Sequence, residues 1–216
     1  MAAPFPRLYA IVDADACARA GRAPLDAAAA FVAGGARLLQ VRAKALSGGE
    51  LLRLVDAVAA IARPAGAAVV VNDRVDVAGA AGVGVHVGQE DLPADLARRL
   101  LGPAALVGCS THTPAQLDAA LAAPVNYVAY GPIYATTSKA APDPVVGLDG
   151  LRAAARCAAA AGVPLVAIGG ITLDTAPAVI AAGASAVAVI SDLVNGGELP
   201  EARARRFVVA LDATDR

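Results

Sequence analysis

A chain of 216 residues that is 57% hydrophobic and 17% charged can bury a large core and is not a disordered polymer. Its net charge is −1, and its aromatic content of 3% includes no tryptophan, so it has little to offer a nucleic-acid surface and small-molecule partners are expected instead. The charge-free stretches from Arg156 to Asp174 and from Asp174 to Asp192 are both interrupted by glycine and proline, so neither reads as a membrane span.

In chain order, short β-branched runs alternate with Ala-rich stretches. Strands are expected at 8–13, 37–42, 67–72, 84–88, 105–110, 126–131, 164–170 and 186–191. Helices are expected at 24–34, 48–63, 74–81, 93–101, 114–122, 147–161, 172–182 and 201–210. Pro24, Pro93, Pro114 and Pro177 fall in or near first turns, Thr113 and Thr172 stand where caps would, and glycines at 34–35, 162 and 183 supply stops. Eight βα units with no linker between them, spanning 1–216 as one domain, predict the α/β class and a single (β/α)8 TIM barrel. The opening residues carry no secretory pattern, so the cytoplasm is the expected compartment. Cys17, Cys109 and Cys157 are widely spaced and are expected as buried small hydrophobes rather than a disulfide or zinc set.

A barrel of this kind carries its site where the strands end, and the polar residues collect there. Strand two ends in Gln40, Arg42 and Lys44, strand three in Asn72 and Asp73, and strand four runs on to Asp91. Strand five ends at Ser110, strand six leads to Thr136, Ser138 and Lys139, strand seven ends at Gly169 and Gly170, and strand eight at Ile190 and Ser191. Gln40 and Arg42, two apart, share one strand face; because Leu39 and Val41 claim the other, the polar pair is expected inside, where Arg42 needs a partner or an anion. Neighbouring strands bring Asp73 and Asp91 together. Beside Arg42, Lys44 and Lys139, two carboxylates suit Mg2+ with a pyrophosphate; spacing alone leans the other way, to two aspartates that each cap the following helix. Gly169 and Gly170, with the helix start after them, suggest a second, backbone-built anion site, although glycines also serve tight turns. The long connection 131–147 has the length of a lid. His86, mid-strand, is expected to bridge buried backbone, and His112 to cap the helix that follows.

Taken in order, QVRAK, VNDRVD, HVGQEDLP, GCSTH, GPIYATTSK, VGLDGL and AIGGIT make nearly the whole chain resemble the thiamine-phosphate synthase family. That resemblance implies a (β/α)8 enzyme joining 4-amino-2-methyl-5-hydroxymethylpyrimidine diphosphate to a thiazole phosphate carboxylate, with release of pyrophosphate and CO2. It implies Gln40, Arg42, Lys44, Asn72, Ser110 and Lys139 on the pyrimidine diphosphate, with Arg42, Lys44, Ser110 and Lys139 as the catalytic set. Asp73 and Asp91 would hold Mg2+, and Thr136, Ser138, Gly170, Ile190 and Ser191 the thiazole phosphate. The implied chemistry is dissociative: the diphosphate leaves first and the thiazole nitrogen then attacks. Self-association into a homo-oligomer stays open.

Three departures stand out. The Asp73 to Asp91 interval is one residue shorter than the family's usual pattern, in a stretch before strand four where a loop should absorb it. Ala135 replaces a frequent proline and Ala140-Ala141 a frequent Lys-Asp, which leaves the closing of the lid open. The related thiazole tautomerases commonly carry histidine where this chain has Pro132, and a barrel that only senses a thiazole or thiamine phosphate would not need a metal-held leaving group; both rivals are disfavoured.

Overall fold

Strands that are apolar on both faces need cover on both, and here a closed sheet supplies it. The computed structural model describes residues 5–136, 143–195 and 197–215. Eight parallel strands pair in chain order and the eighth returns to the first: β1 (Leu8–Asp13), β2 (Leu38–Arg42), β3 (Ala68–Asn72), β4 (Gly84–Val87), β5 (Val107–Thr111), β6 (Tyr127–Tyr130), β7 (Leu165–Ile168) and β8 (Ala186–Val189). Around them lie α1 (Ala14–Arg19), α2 (Pro24–Ala33), α3 (Gly48–Ala62), α4 (Val75–Ala81), α5 (Ala94–Leu101), α6 (Pro114–Leu121), α7 (Gly147–Ala160), α8 (Ala176–Ala181), α9 (Ser191–Asn195) and α10 (Pro200–Asp212). The architecture is the single (β/α)8 barrel that the alternation predicts.

Strand alternation separates two cores. Tyr9, Ile11, Leu38, Val70, Tyr127, Ala129, Val166, Ala186 and Ala188 fill the lumen, whereas Ala10, Val12, Leu39, Val41, Val71 and Val128 join the helices in the outer layer. The lumen is packed unevenly. Tyr9 and Tyr127 occupy it early in their strands, while Ala129 and Ala188, nearer the strand ends, are small where barrels commonly place branched side chains. Space therefore remains at the C-terminal end. Gly108, opposite Tyr127 in the β5–β6 register, is required by the same packing, because a Cβ there would overlap the Tyr127 ring and hydroxyl.

Local chemistry explains several helix starts. Ser47 and Glu50 form a reciprocal capping box on α3, and Thr113 accepts from the Gln116 N–H to cap α6, as expected. Several expectations need correction. Two short helices, α1 and α9, follow β1 and β8 where strand or loop was expected; α1 starts because Asp13 accepts from the Ala16 N–H. Strand β7 stops at Ile168 because Gly169 and Gly170 take φ of 102° and 64°, outside strand geometry. Helix α8 starts at Ala176 rather than 172, and Thr172 does not cap it: its N–H instead donates to the Thr175 hydroxyl at 2.9 Å. Cys17 and Cys109 are buried, but Cys157 is exposed. The inner stripe of α7 is Leu151, Ala154, Ala155 and Ala158, which turns position 157 outward.

Candidate active site

Parallel strands closed into one barrel all end on the same rim, and at that rim opens a cavity of about 530 Å3. Gln40, Arg42, Asn72, Ser110, Thr136, Gly170, Ile190 and Ser191 all line it. Ser138 and Lys139 lie outside the described residues.

Arg42 faces inward, and its partner is a residue that sequence reasoning missed. Its Nη1 donates to Asp13 Oδ2 across the β1–β2 register, with side chains 18% and 4% exposed respectively. The other Asp13 oxygen accepts from the Ala16 N–H at 2.7 Å. One buried carboxylate thus caps α1 and orients the arginine over the cavity. The signal was the strand-end position of Asp13, the same rule that singled out Asn72 and Ser110.

Neither Asp73 nor Asp91 caps a helix. Arg74 precedes α4 and Pro93 precedes α5, both without a side-chain cap, and Asp91 turns back to accept from the Gly88 N–H at 2.7 Å. Asp73 adopts φ 65°, a left-handed conformation that Asp tolerates better than most residues, while its N–H continues the ladder to His86 O at 2.8 Å. The two carboxylates face each other: burial first, then the hydrogen bond and charge of Asp91, raise the Asp73 carboxyl above its ordinary value, and Lys44 opposes the rise. Lys44 Nζ stands 3.5 Å from Asp73 Oδ2. These three residues sit outside the cavity lining, next to Asn72. Before β4 the chain leaves α4 at Gly82 in a left-handed turn, and Asn72 registers with His86.

Beneath the cavity runs a buried chain of polar side chains that the sequence reading did not assemble. Gln40 Nε2 donates to the Tyr9 hydroxyl at 2.6 Å, and the Tyr9 and Tyr127 hydroxyls are 2.8 Å apart. His86 Nδ1 lies 2.9 Å from the Tyr127 hydroxyl, and its Nε2 lies 2.8 Å from Ser110 Oγ. His86 thus bridges side chains, which corrects its expected role. His112 is corrected too: Thr113 caps α6, and His112 lines the cavity with Nδ1 2.7 Å from Gly131 O and 3.5 Å from Asp143. Tyr9 and Tyr127 were legible only as apolar strand residues.

At the β7 end the glycines answer first to packing: a Cβ on Gly170 would overlap Ala135 O and Tyr134. Since α8 begins only at Ala176, the helix start expected to aid an anion at Gly170 is displaced. The neighbouring Asp192 accepts from the Leu173 N–H at 2.8 Å and from Arg203 Nη2 at 2.8 Å to each oxygen, which joins the two loops and neutralises an acid at the cavity wall.

The sequence pattern of a family described as thiamine monophosphate synthase matches residues 8–193. The chain belongs to that family. A thiamine-phosphate synthase of Koribacter versatilis is 49% identical over 213 residues, covering 96% of each chain, and one of Anaeromyxobacter dehalogenans is 47% identical over 194 residues, covering 89% of this chain and 85% of its own. Among solved structures, a thiamine phosphate pyrophosphorylase from Pyrococcus furiosus superposes with a TM-score of 0.85 at 28% identity over 96% of both chains. Membership makes the protein a transferase of thiamine biosynthesis. Among the described residues no helix is long and apolar enough to cross a membrane.

Proposed function

We propose that the protein condenses 4-amino-2-methyl-5-hydroxymethylpyrimidine diphosphate with a thiazole phosphate carboxylate, giving thiamine phosphate, pyrophosphate and CO2 in a Mg2+-dependent dissociative displacement. The observation that carries this reading is the facing pair Asp73 and Asp91 beside Lys44, next to a cavity lined by Gln40, Arg42, Asn72 and Ser110. The donor set fits the cation. Among the described residues no group of three or more ligating side chains could enclose a metal, but Mg2+ is commonly held by one or two carboxylates and completes its shell with water and substrate phosphate oxygens. Bound there, it would neutralise charge on the departing diphosphate as a Lewis acid.

The remaining work falls to side chains. Arg42, held by Asp13, presents a fixed guanidinium where negative charge grows as the C–O bond breaks, and Lys44 and Lys139 are assigned the same task. Losing one such donor costs about 3 kcal/mol in the transition state, roughly a hundredfold in rate. Gln40, Asn72 and Ser110 are assigned to orient the pyrimidine, and Thr136, Ser138, Gly170, Ile190 and Ser191 to hold the thiazole phosphate. The thiazole nitrogen brings its own lone pair, so bond formation needs no general base.

The test is direct: incubate the purified protein with both phosphorylated heterocycles, with and without Mg2+, and detect thiamine phosphate by fluorescence after oxidation. Mg2+-dependent product is expected, and Asp73→Ala should abolish it while retaining the circular dichroism of the fold. Absence of product, or an undiminished mutant, would refute the assignment.

A further inference from the structure

The hydrogen-bond chain beneath the cavity has a direction as well as a geometry. Each phenol carries one proton, and burial raises both Tyr9 and Tyr127 above the ordinary phenol range, so at neutral pH each takes part as O–H. Tyr9 accepts from Gln40 Nε2 at 2.6 Å and spends its own proton on Tyr127, 2.8 Å away. Tyr127 is then free to donate to His86 Nδ1 at 2.9 Å. In a neutral imidazole, an accepting Nδ1 leaves the proton on Nε2, which donates to Ser110 Oγ at 2.8 Å. Ser110 keeps its hydroxyl proton for a further acceptor, and Gln40 keeps Oε1 for a further donor. Both residues line the cavity.

We propose that Tyr9, Tyr127 and His86 form a positioning relay that sets the hydrogen-bond polarity of the two cavity residues at its ends, an acceptor at Gln40 Oε1 and a donor at Ser110 Oγ. The relay thereby selects a heteroaromatic ring that offers an N–H donor and an unprotonated ring nitrogen. Equating that ring with the aminopyrimidine rests on the function proposed above; the polarity itself does not. A ring with an oxo group and a protonated nitrogen presents the reverse pattern: its oxo oxygen faces Gln40 Oε1, and its N–H meets only the second lone pair of Ser110 Oγ while the Ser110 proton is left without an acceptor, a mismatch that buried polar sites reject strongly. The relay ties together residues of five strands, β1, β2, β4, β5 and β6, and Gly108 keeps the space in which the Tyr127 hydroxyl sits.

Turning the Gln40 amide would reverse every bond in the chain, with Ser110 donating to His86 Nε2 and His86 protonated on Nδ1. The two senses differ in one observable, the His86 tautomer. With only two histidines in the chain, two-bond 1H–15N spectra of the full-length labelled protein at neutral pH, assigned with His112→Gln, read it directly. The expected result is neutral His86 protonated on Nε2; the Nδ1–H tautomer, or an exchanging mixture, would overturn the proposal. A second measurement uses Tyr127→Phe, which keeps the ring, lies outside the cavity lining and removes the middle link. The preference in kcat/KM for the amino over the oxo pyrimidine diphosphate should fall about tenfold while the KM for thiazole phosphate stays unchanged. An unchanged preference, or equal rises in both KM values, would overturn the relay. If that variant does not fold, the wild-type tautomer still decides. Failure of the proposed function would show separately, as no thiamine phosphate from the wild-type protein, whatever the tautomer.

Discussion

Asp13→Asn isolates the buried ion pair, because asparagine can still cap α1 through its side-chain oxygen while removing the charge that Arg42 meets. Breaking a buried pair by removing one partner costs about 3–5 kcal/mol, chiefly through the uncompensated charge left behind. Asp13 is nearly closed off, but Arg42 is 18% exposed at the cavity wall, where water can reach part of the guanidinium. A discounted loss of about 2–3 kcal/mol follows, which for a chain of this length is a melting-point drop of roughly 5–10 °C. The stranded guanidinium should regain a partner when an anion enters. In thermal melts, inorganic pyrophosphate with Mg2+ should therefore stabilise Asp13→Asn more than the wild-type protein, by linkage to the folded state alone, and kcat should fall because Arg42 is no longer held. A variant that melts with the wild-type protein, or gains no more from pyrophosphate, would refute the reasoning.

The other predictions test packing, charge and proton binding. Gly108→Ala forces a methyl into the Tyr127 ring and should cost about 3 kcal/mol in urea unfolding; a loss below about 1 kcal/mol would show that the β5–β6 pair relaxes freely. Arg203→Met exposes the cavity wall to an unpaired Asp192 carboxylate and should raise the KM for thiazole phosphate about tenfold with the pyrimidine KM little changed, and Asp192→Asn in the same chain should restore it. Equal effects on both substrates would count against that placement. Tyr9 and Tyr127 hold their protons more tightly folded than unfolded, starting from an ordinary value of 10.0. Their contribution is therefore fully present below about pH 10 and is lost as the pH climbs beyond it. Urea midpoints should fall above about pH 10 and fall less steeply for Tyr9→Phe; parallel curves would sink the assignment.

Legibility in the sequence divided along physical lines. The two-residue period of β2 was enough to put Gln40 and Arg42 on one face and Leu39 and Val41 on the other, because side-chain alternation is a property of a single strand. Capping at Thr113 was equally local. The end of β7 was misjudged because Gly169 and Gly170 leave strand geometry to pack against the β6 loop, a neighbour far away in the sequence, and that of β8 because a short helix, α9, starts already at Ser191. Cys157 was misplaced because a run of alanines hides which stripe of α7 is inward.

Asp73 and Asp91 show the limit most clearly. From spacing, two helix caps and a shared cation site were both consistent, and capping was the commoner fate. Only the closed barrel, with Asn72 in register with His86, turned the carboxylates toward each other and toward Lys44.

What the chain dictates unaided is a set of local periods, from which the eight βα units, the barrel and the rim of strand-end polar groups follow. What it does not reveal is which of those groups touch, because Tyr9 and Tyr127 are 118 positions apart and Asp13 reaches Arg42 only across neighbouring strands. Those meetings depend on strand register and on closure of the sheet, collective properties of eight strands that no single segment encodes.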